Sequence, residues 1–466
     1  MNTKPASLTL SLIKEQVSRR SFLKIASLGA GAAAISPSLM ANLYNKEEIT
    51  SKVLPFRVGE WLPSDQAFLD QWVERHVKAV DTHAKPLHPV IEEFKNLIEN
   101  DPEIYMLINQ MFEQIPKKSP YNKNPIGKSQ VRDYPHMLNL INAILTTAPE
   151  FNKTGLVGFP INAILDWAMG TQSGFAVFLN AKVNAQLKKI LNEWAKFLGS
   201  TESCYVLSTE PHNGWFGSDA KKAMPNFEKQ FKCDPSKPYY GFTSWDDFFT
   251  REFNEGQRPI ASPNNDSVIV NACESAPYKI AHNVKRQDRF WIKAQPYSLV
   301  HMLANDDFVD QFVGGTIYQA FLSATSYHRW HSPVSGKIVK AYVKDGTYYS
   351  ETLSEGFDPA GPNESQGYIT EVATRGIIFI EADNPAIGLM CFMSVGMAEV
   401  STCEITVSVG QHVNKGDQLG MFHFGGSTHC LIFRPQVKLE FDLHGQTPGL
   451  NSSNIKINSK IATVKP

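Results

Sequence analysis

The hydrophobic period changes once along the chain, and that change limits the folds open to it. From about Val58 to Ser200 apolar residues recur at helical spacing, as in Phe94, Leu97 and Ile98, then Tyr105, Ile108, Met111, Phe112 and Ile115. Leu187, Ile190, Leu191, Trp194, Phe197 and Leu198 repeat the pattern, and Gly199 is placed to end that helix. Each set falls on one face of a 3.6-residue turn. From Val268 onward the texture differs: short Val, Ile, Tyr and Phe runs alternate with turn signals at Gly336, Asp345-Gly346, Gly410 and Lys415-Gly416-Asp417. Such runs predict strands joined by tight turns. Between the two, 201–240 mixes Pro, Gly, Asn and Lys without a sustained period and reads as a connection. The predicted class is α+β, with a helical N-terminal domain over 56–200 and a β-rich C-terminal domain of short antiparallel strands over 241–466.

At the N-terminus, Ser18-Arg-Arg-Ser-Phe-Leu-Lys24 precedes an apolar stretch, Ile25 to Ile35, and then Ser36-Pro-Ser-Leu-Met-Ala41. Eleven apolar residues are too few to span a bilayer comfortably. The segment 1–41 resembles a twin-arginine export signal, which implies a periplasmic or otherwise exported protein and removal near Ser38 to Ala41. Gly29-Ala-Gly31 follows no strand, so it is not a dinucleotide loop.

With 45 basic and 46 acidic residues and no Lys/Arg-rich run, the chain lacks the electrostatic footprint of a nucleic-acid-binding protein. The six cysteines, at 204, 233, 273, 391, 403 and 430, never approach Cys-x-x-Cys spacing, so no metal site is expected. Their redox state stays open. His83 and His88, five apart on a Pro-rich stretch, do not share a helix face and read as surface or capping residues.

Chemistry concentrates near the C-terminus, in Phe424-Gly-Gly-Ser-Thr-His-Cys-Leu-Ile-Phe433. Alone, this is a turn feeding a strand. Three further segments precede it: Trp245-Asp-Asp-Phe-Phe-Thr-Arg-Glu-Phe253 with Gly256-x-Arg258-Pro259, Val270-Asn-Ala-Cys-Glu-Ser275, and Phe321-Leu-Ser-Ala-Thr-Ser-Tyr-His-Arg-Trp-His-Ser-Pro333. In this order, and with Lys415-Gly-Asp-x-Leu-Gly-x-Phe-x-Phe-Gly-Gly-Ser-Thr428, they resemble the phosphatidylserine decarboxylases, pyruvoyl enzymes that cut their own chain. The resemblance covers about 240–435.

It implies a processing bond at Gly426-Ser427, a β chain ending at Gly426 and an α chain of the 40 residues 427–466. Ser427 would become a covalent pyruvoyl cofactor, whose ketone forms a Schiff base with a substrate amine and draws off electrons as carbon dioxide leaves. Neither PLP nor a metal is then required. The family's cleavage triad is Asp-His-Ser; by position His331 is the base and His328 the proton donor or acceptor of the decarboxylation. At the acidic position Ala272-Cys-Glu-Ser275 carries Glu274, one methylene longer than the family's Asp, as the group expected to orient His331. Tyr278, Glu399 and Cys273 are further candidates to line the pocket.

Phosphatidylserine, converted to phosphatidylethanolamine, is the substrate the resemblance implies first. The alternative is a free aromatic L-amino acid such as tryptophan, because the helical N-terminal region and Cys-Glu-Ser are similar to a soluble branch of the family. Arg329 is the nearest candidate to meet a phosphate. No basic amphipathic helix marks a lipid-docking face, and peripheral membrane contact and a homo-oligomer both stay open. Two other classes fit parts of the pattern: a non-enzymatic β-domain binding module, and a serine hydrolase using Ser427 and His331. The export reading makes its own prediction. Replacing Arg19 and Arg20 with Lys should leave the protein in the cytoplasm, as measured by cell fractionation.

Overall fold

Helix-capping chemistry sets the N-terminal half of the computed structural model, which describes residues 66–83, 85–115, 130–151, 160–288, 297–322, 325–352, 365–399, 402–449 and 451–465. The expected export segment, 1–41, lies outside these residues. Among the described residues of this half seven helices follow one another: α1 (Gln66–Thr82), α2 (Pro89–Asn100), α3 (Pro102–Glu113), α4 (Tyr134–Ile144), α5 (Pro160–Met169), α6 (Gln172–Leu179) and α7 (Ala181–Leu198). His88 is indeed a cap, its Nδ1 accepting from the Val90 N–H at 3.3 Å. Asp101 ends α2 and starts α3, its carboxylate accepting from the N–H groups of Glu103 and Ile104 at 3.1 and 3.2 Å. Asp133, Thr171 and Asn180 cap α4, α6 and α7 in the same way. Each side-chain acceptor satisfies N–H groups that the helix itself leaves unpaired. The apolar stripe of α7 is buried as its spacing predicts, from Val183 through Leu187, Ile190, Leu191 and Trp194 to Leu198.

The connection 201–240 has only short helical turns, but it is not solvated chain. Trp215, Phe216, Phe227 and Tyr240 are buried, and Phe216 and Trp215 pack on Trp245 and Phe248 of the short helix Trp245–Phe249. Aromatic side chains hold it down without a regular period.

Thirteen strands lie in the described C-terminal part: β1 (Val268–Val270), β2 (Ala276–His282), β3 (Thr316–Leu322), β4 (Arg329–His331), β5 (Gly336–Lys344), β6 (Arg375–Ala382), β7 (Leu389–Met397), β8 (Cys403–Ile405), β9 (His412–Val413), β10 (Gln418–Phe422), β11 (Gly426–Phe433), β12 (Lys438–Phe441) and β13 (Lys460–Lys465). Seven of them form one sheet in the order β2-β3-β11-β7-β6-β5-β9, and two three-stranded sheets run β4-β10-β8 and β1-β13-β12. Every pairing between these strands is antiparallel. The fold is α+β.

The central strands are longer and drier than period-2 alternation implies: all nine residues of β7 are buried. Parity explains it. Cys391, Met393, Val395 and Met397 of β7 join Cys430 and Ile432 of β11 in a core shared with α2 to α7. Met390 and Phe392, with Leu431 and Phe433, enter a second core with Trp330 of β4, Leu419 and Phe422 of β10 and Ile461 of β13. Helices cover one face of the large sheet and the small sheets cover the other, so both side-chain sets are apolar.

Phe392, wholly buried between Trp330 and His429, tests this second core. Phe392→Ala should cost about 3–5 kcal/mol of stability, read from denaturant unfolding, and Phe392→Leu clearly less.

Candidate active site

Strand β11 carries the stretch singled out in the sequence. It is paired on both edges, Ser427 lying opposite Leu322 of β3 and Gly396 of β7. Just before it, Gly425 has φ +149°, a conformation side-chain-bearing residues rarely adopt, while Gly426 is already the first strand residue. The conformational need for glycine therefore falls on Gly425.

Neighbouring hydroxyls then behave differently. Thr428 Oγ1 donates to the Ala320 carbonyl at 2.9 Å and accepts from Gln319 Nε2 at 3.2 Å. Ser427 Oγ is equally buried and has no hydrogen-bond partner among the described residues. A dry, unpaired hydroxyl costs about 1–3 kcal/mol, and a protein that keeps one usually has a use for it. By parity Ser427 faces the side of the sheet covered by β4 and β10, together with His429 and Leu431.

His331 ends β4. Its Nδ1 lies 2.6 Å from the Gly416 carbonyl and its Nε2 lies 2.9 Å from the Tyr327 hydroxyl. A carbonyl only accepts, so the proton sits on Nδ1 and the Nε2 lone pair takes the Tyr327 O–H. Burial lowers its pKa, which keeps the ring neutral near pH 7 and leaves the Nε2 lone pair unprotonated. Three residues earlier His328 is buried, its ring stacked on Phe249 at 3.9 Å and its carbonyl accepting from Phe422 N–H of β10. Arg251 braces this segment from below: its wholly buried guanidinium donates to the carbonyls of Thr325 and Ser326 at 2.7 and 2.9 Å and lies over the Phe231 ring. Desolvation brings its pKa down to about 9.

Glu274 is a correction to the sequence reading. Its carboxylate accepts from Arg258 at 2.7, 3.1 and 3.2 Å and from the Ile457 N–H at 2.8 Å, while the Gly416 carbonyl holds the Nδ1 of His331. The guanidinium sixteen residues upstream outcompetes a neutral imidazole for the longer side chain. Arg329 is likewise engaged, donating to the Thr250 carbonyl and to Gln418 Oε1 and lying 3.6 Å from Glu252. Cys273 is buried in the small-sheet core. All six cysteines are free thiols. Among the described residues no group of three or more His, Cys, Asp or Glu side chains is arranged to hold a metal ion.

Of the three further candidates, Glu399 follows closely on the partner of Gly426. Gly426 pairs with Met397, and two residues on Glu399 is fully buried with φ +31°, following Ala398 at φ +50°. Its carboxyl accepts from the Asn162 N–H at 3.1 Å and meets the Tyr349 hydroxyl at 3.3 Å. Burial raises its pKa to about 8. Two consecutive left-handed residues without glycine store strain of the kind found beside reactive centres.

A cavity of about 290 Å³ opens on the other side of Tyr327, between Phe231, Phe253, Arg258, Glu274 and Asn454. That is just below the usual range for small-molecule sites, roughly 300–1,000 Å³. Sequence reasoning missed the part of its aromatic wall that comes from the connection 201–240, Phe227 and Phe231, and it gave no role to Arg251, His423 or His429. The last was within the quoted motif; its burial between Tyr318 and Phe392 holds its pKa down to about 3.

Two family models described as phosphatidylserine decarboxylase match this chain, one over residues 88–224 and one over 245–462. The protein belongs to the phosphatidylserine decarboxylase family. It is 40% identical to an L-tryptophan decarboxylase of Psilocybe cyanescens over 88% of this chain and 95% of that one. It is 42% identical to decarboxylase iboD of Amanita muscaria, over 66% of this chain and 91% of the other. With a phosphatidylserine decarboxylase proenzyme of Fusobacterium nucleatum the identity is 26%, over 60% and 94%. Like these relatives, this phosphatidylserine decarboxylase family member is a carboxy-lyase.

The buried Glu399 makes stability depend on pH. Between about 4.5, where an exposed carboxyl titrates, and about 8, the unfolded chain has released a proton that the folded chain keeps. Stability contributed by the protonated acid is thus lost as pH rises across that window. Glu399→Gln should shrink the fall in Tm between pH 5.5 and pH 8 by several degrees in scanning calorimetry. Glu371, also raised to about 8, keeps part of the slope.

Proposed function

We propose that this decarboxylase cleaves its own chain between Gly426 and Ser427 and uses the pyruvoyl group derived from Ser427 to decarboxylate a free aromatic L-amino acid such as tryptophan. The observation that carries the first half is the contrast within β11: Thr428 is hydrogen-bonded and Ser427 Oγ, one residue away and as dry, is not. An oxygen with no ground-state partner is available to attack the Gly426 carbonyl, and the backbone ahead of it turns at Gly425. Oγ gives its proton to His331 Nε2 and attacks the Gly426 carbonyl carbon, and the C–N bond to Ser427 breaks as its nitrogen takes that proton, which converts amide to ester. Elimination then leaves Gly426 as a carboxylate and residue 427 as dehydroalanine, and water replaces its nitrogen, released as ammonia, to give the ketone. The residues present fit that group, since the position is buried and its Oγ is an orphaned polar atom among the described residues. When formed, it supplies an electron-withdrawing carbonyl for an amine that is losing carbon dioxide. Around it His328 moves the proton to and from the substrate carbon, with Phe249 fixing its ring plane. Tyr327 holds the Nε2 of His331 until substrate or the Ser427 hydroxyl claims it.

The amino-acid reading is supported by the 40% identity that extends through the helical half, and by the cavity beside Tyr327, whose wall includes Phe231 and Phe253. An indole or phenyl ring gains a few kcal/mol by entering such a space. Phosphatidylserine is the second reading, favoured by the family model over 245–462; its acyl chains would have to stay outside a cavity of this size. No helix among the described residues is long and apolar enough to cross a membrane. Export through 18–41 remains our proposal for where the enzyme works, independent of the substrate.

The intact mass of denatured protein tests the processing: two species are expected from wild type and one from Ser427→Ala. His331→Ala should accumulate precursor, whereas His328→Ala should be cut yet release little carbon dioxide. For the substrate, tryptophan, tyrosine, phenylalanine and detergent-dispersed phosphatidylserine are assayed side by side for carbon dioxide and amine. Rapid tryptamine release is expected, and phosphatidylethanolamine as the sole product would reverse the assignment. Met224 lines the cavity, and Met224→Trp should raise KM for tryptophan about 10-fold or more with normal chain cleavage.

A further inference from the structure

Between the end of β10 at Phe422 and the start of β11 at Gly426 there are only three residues, and two of them are held on all sides. Phe424 is wholly buried and packs edge-on against Trp194 of α7 at 5.3 Å, Trp245 at 5.7 Å and Phe249 at 5.5 Å. His423 is held by charge. Its Nδ1 lies 2.9 and 3.0 Å from the two Asp246 oxygens, its Nε2 lies 2.7 Å from Glu404 Oε2, and its N–H donates to the Thr402 carbonyl at 3.0 Å. Ionised carboxylates only accept, so both ring nitrogens carry protons and the side chain is an imidazolium. The two carboxylates raise its pKa to about 9 against the cost of desolvation.

Each carboxylate belongs to a different part of the site. Asp246 sits on the short helix Trp245–Phe249, whose last residue stacks on His328. Glu404 sits on β8, which pairs with β10, and β10 pairs on its other edge with the strand of His331. A single ring thus links the chain entering the Gly425 turn to the supports of both histidines.

Building on the self-cleavage proposed above, we infer that His423 is a positioning residue for chain cleavage: its bridge between Asp246 and Glu404 sets the path of the chain into Gly425-Gly426-Ser427. The hydroxyl and the carbonyl it attacks are neighbours at the start of one strand, and displacements of about 1 Å in such geometry cost on the order of 100-fold in rate. Only Phe424 separates the clamp from the Gly425 turn. The role needs a cation that reaches two carboxylates, not an imidazole as such.

The test follows maturation of freshly synthesised full-length chain by gel and intact mass. His423→Leu should slow cleavage at Gly426-Ser427 about 10-fold or more, and His423→Lys, whose ammonium can meet both carboxylates, should recover most of the wild-type rate. Melting temperatures are compared in the Ser427→Ala background, where no chain is cut; His423→Leu should lower Tm by only a few degrees there. If His423→Leu does not fold, Glu404→Gln, at a half-exposed carboxylate, replaces it and should slow cleavage in the same direction. Wild-type cleavage kinetics in His423→Leu, or a Lys variant as slow as the Leu variant, overturns the positioning role while leaving self-cleavage standing. A wild-type chain that is never cut overturns both.

Discussion

Everything reactive in this protein depends on β11 having no free edge and no wet face. Hydrogen bonds to β3 and β7 fix its register, and cores on both sides remove water from its first residues. In such surroundings a hydroxyl without a partner cannot borrow one from solvent, and an imidazole or carboxyl reverts to its neutral form. The lowered pKa of His331, the raised pKa of Glu399 and the unsatisfied Ser427 are three results of the same exclusion of water.

The two halves of the chain contribute unequally to that environment. Strands β3, β7 and β11 supply the backbone around Gly426-Ser427, and the helices supply its roof: Trp194 of α7 meets Phe424, and the Asn162 N–H of α5 meets Glu399. The aromatic stretch 201–240 then joins roof to base through Trp215 and Phe216. The helical region thus touches the site at these points. This agrees with a kinship to the tryptophan decarboxylases that runs through both halves.

Much of this was legible in the sequence, and the illegible part has a physical pattern. The stripe of α7 and the strand texture after Val268 follow from periodicity, which is a local property. The motif around Gly426-Ser427 stood out because Gly-Gly-Ser-Thr precedes an apolar run. What escaped were choices among long-range partners. Glu274 was read toward His331, but Arg258 takes its carboxylate, and no spacing rule ranks a guanidinium against an imidazole. His423 looked like filler between two phenylalanines because Asp246, which helps to charge it, lies far back in the chain. Strands buried on both faces lose their alternation, so β7 reads as a uniform apolar run whose two faces only the packing separates.

The strand order also decides what becomes of a chain cut at Gly426-Ser427. The piece beginning at Ser427 contributes β11 to the middle of the seven-stranded sheet, and β12 and β13 to the sheet that β1 completes. Its ladders run across the break to β3, β7 and β1, so the two polypeptides are interleaved rather than docked. Separating them would mean unzipping two sheets at once, which is the same event as unfolding. The nick therefore adds a pair of chain ends inside a finished structure, and the mature protein would behave as a split protein that has never been apart.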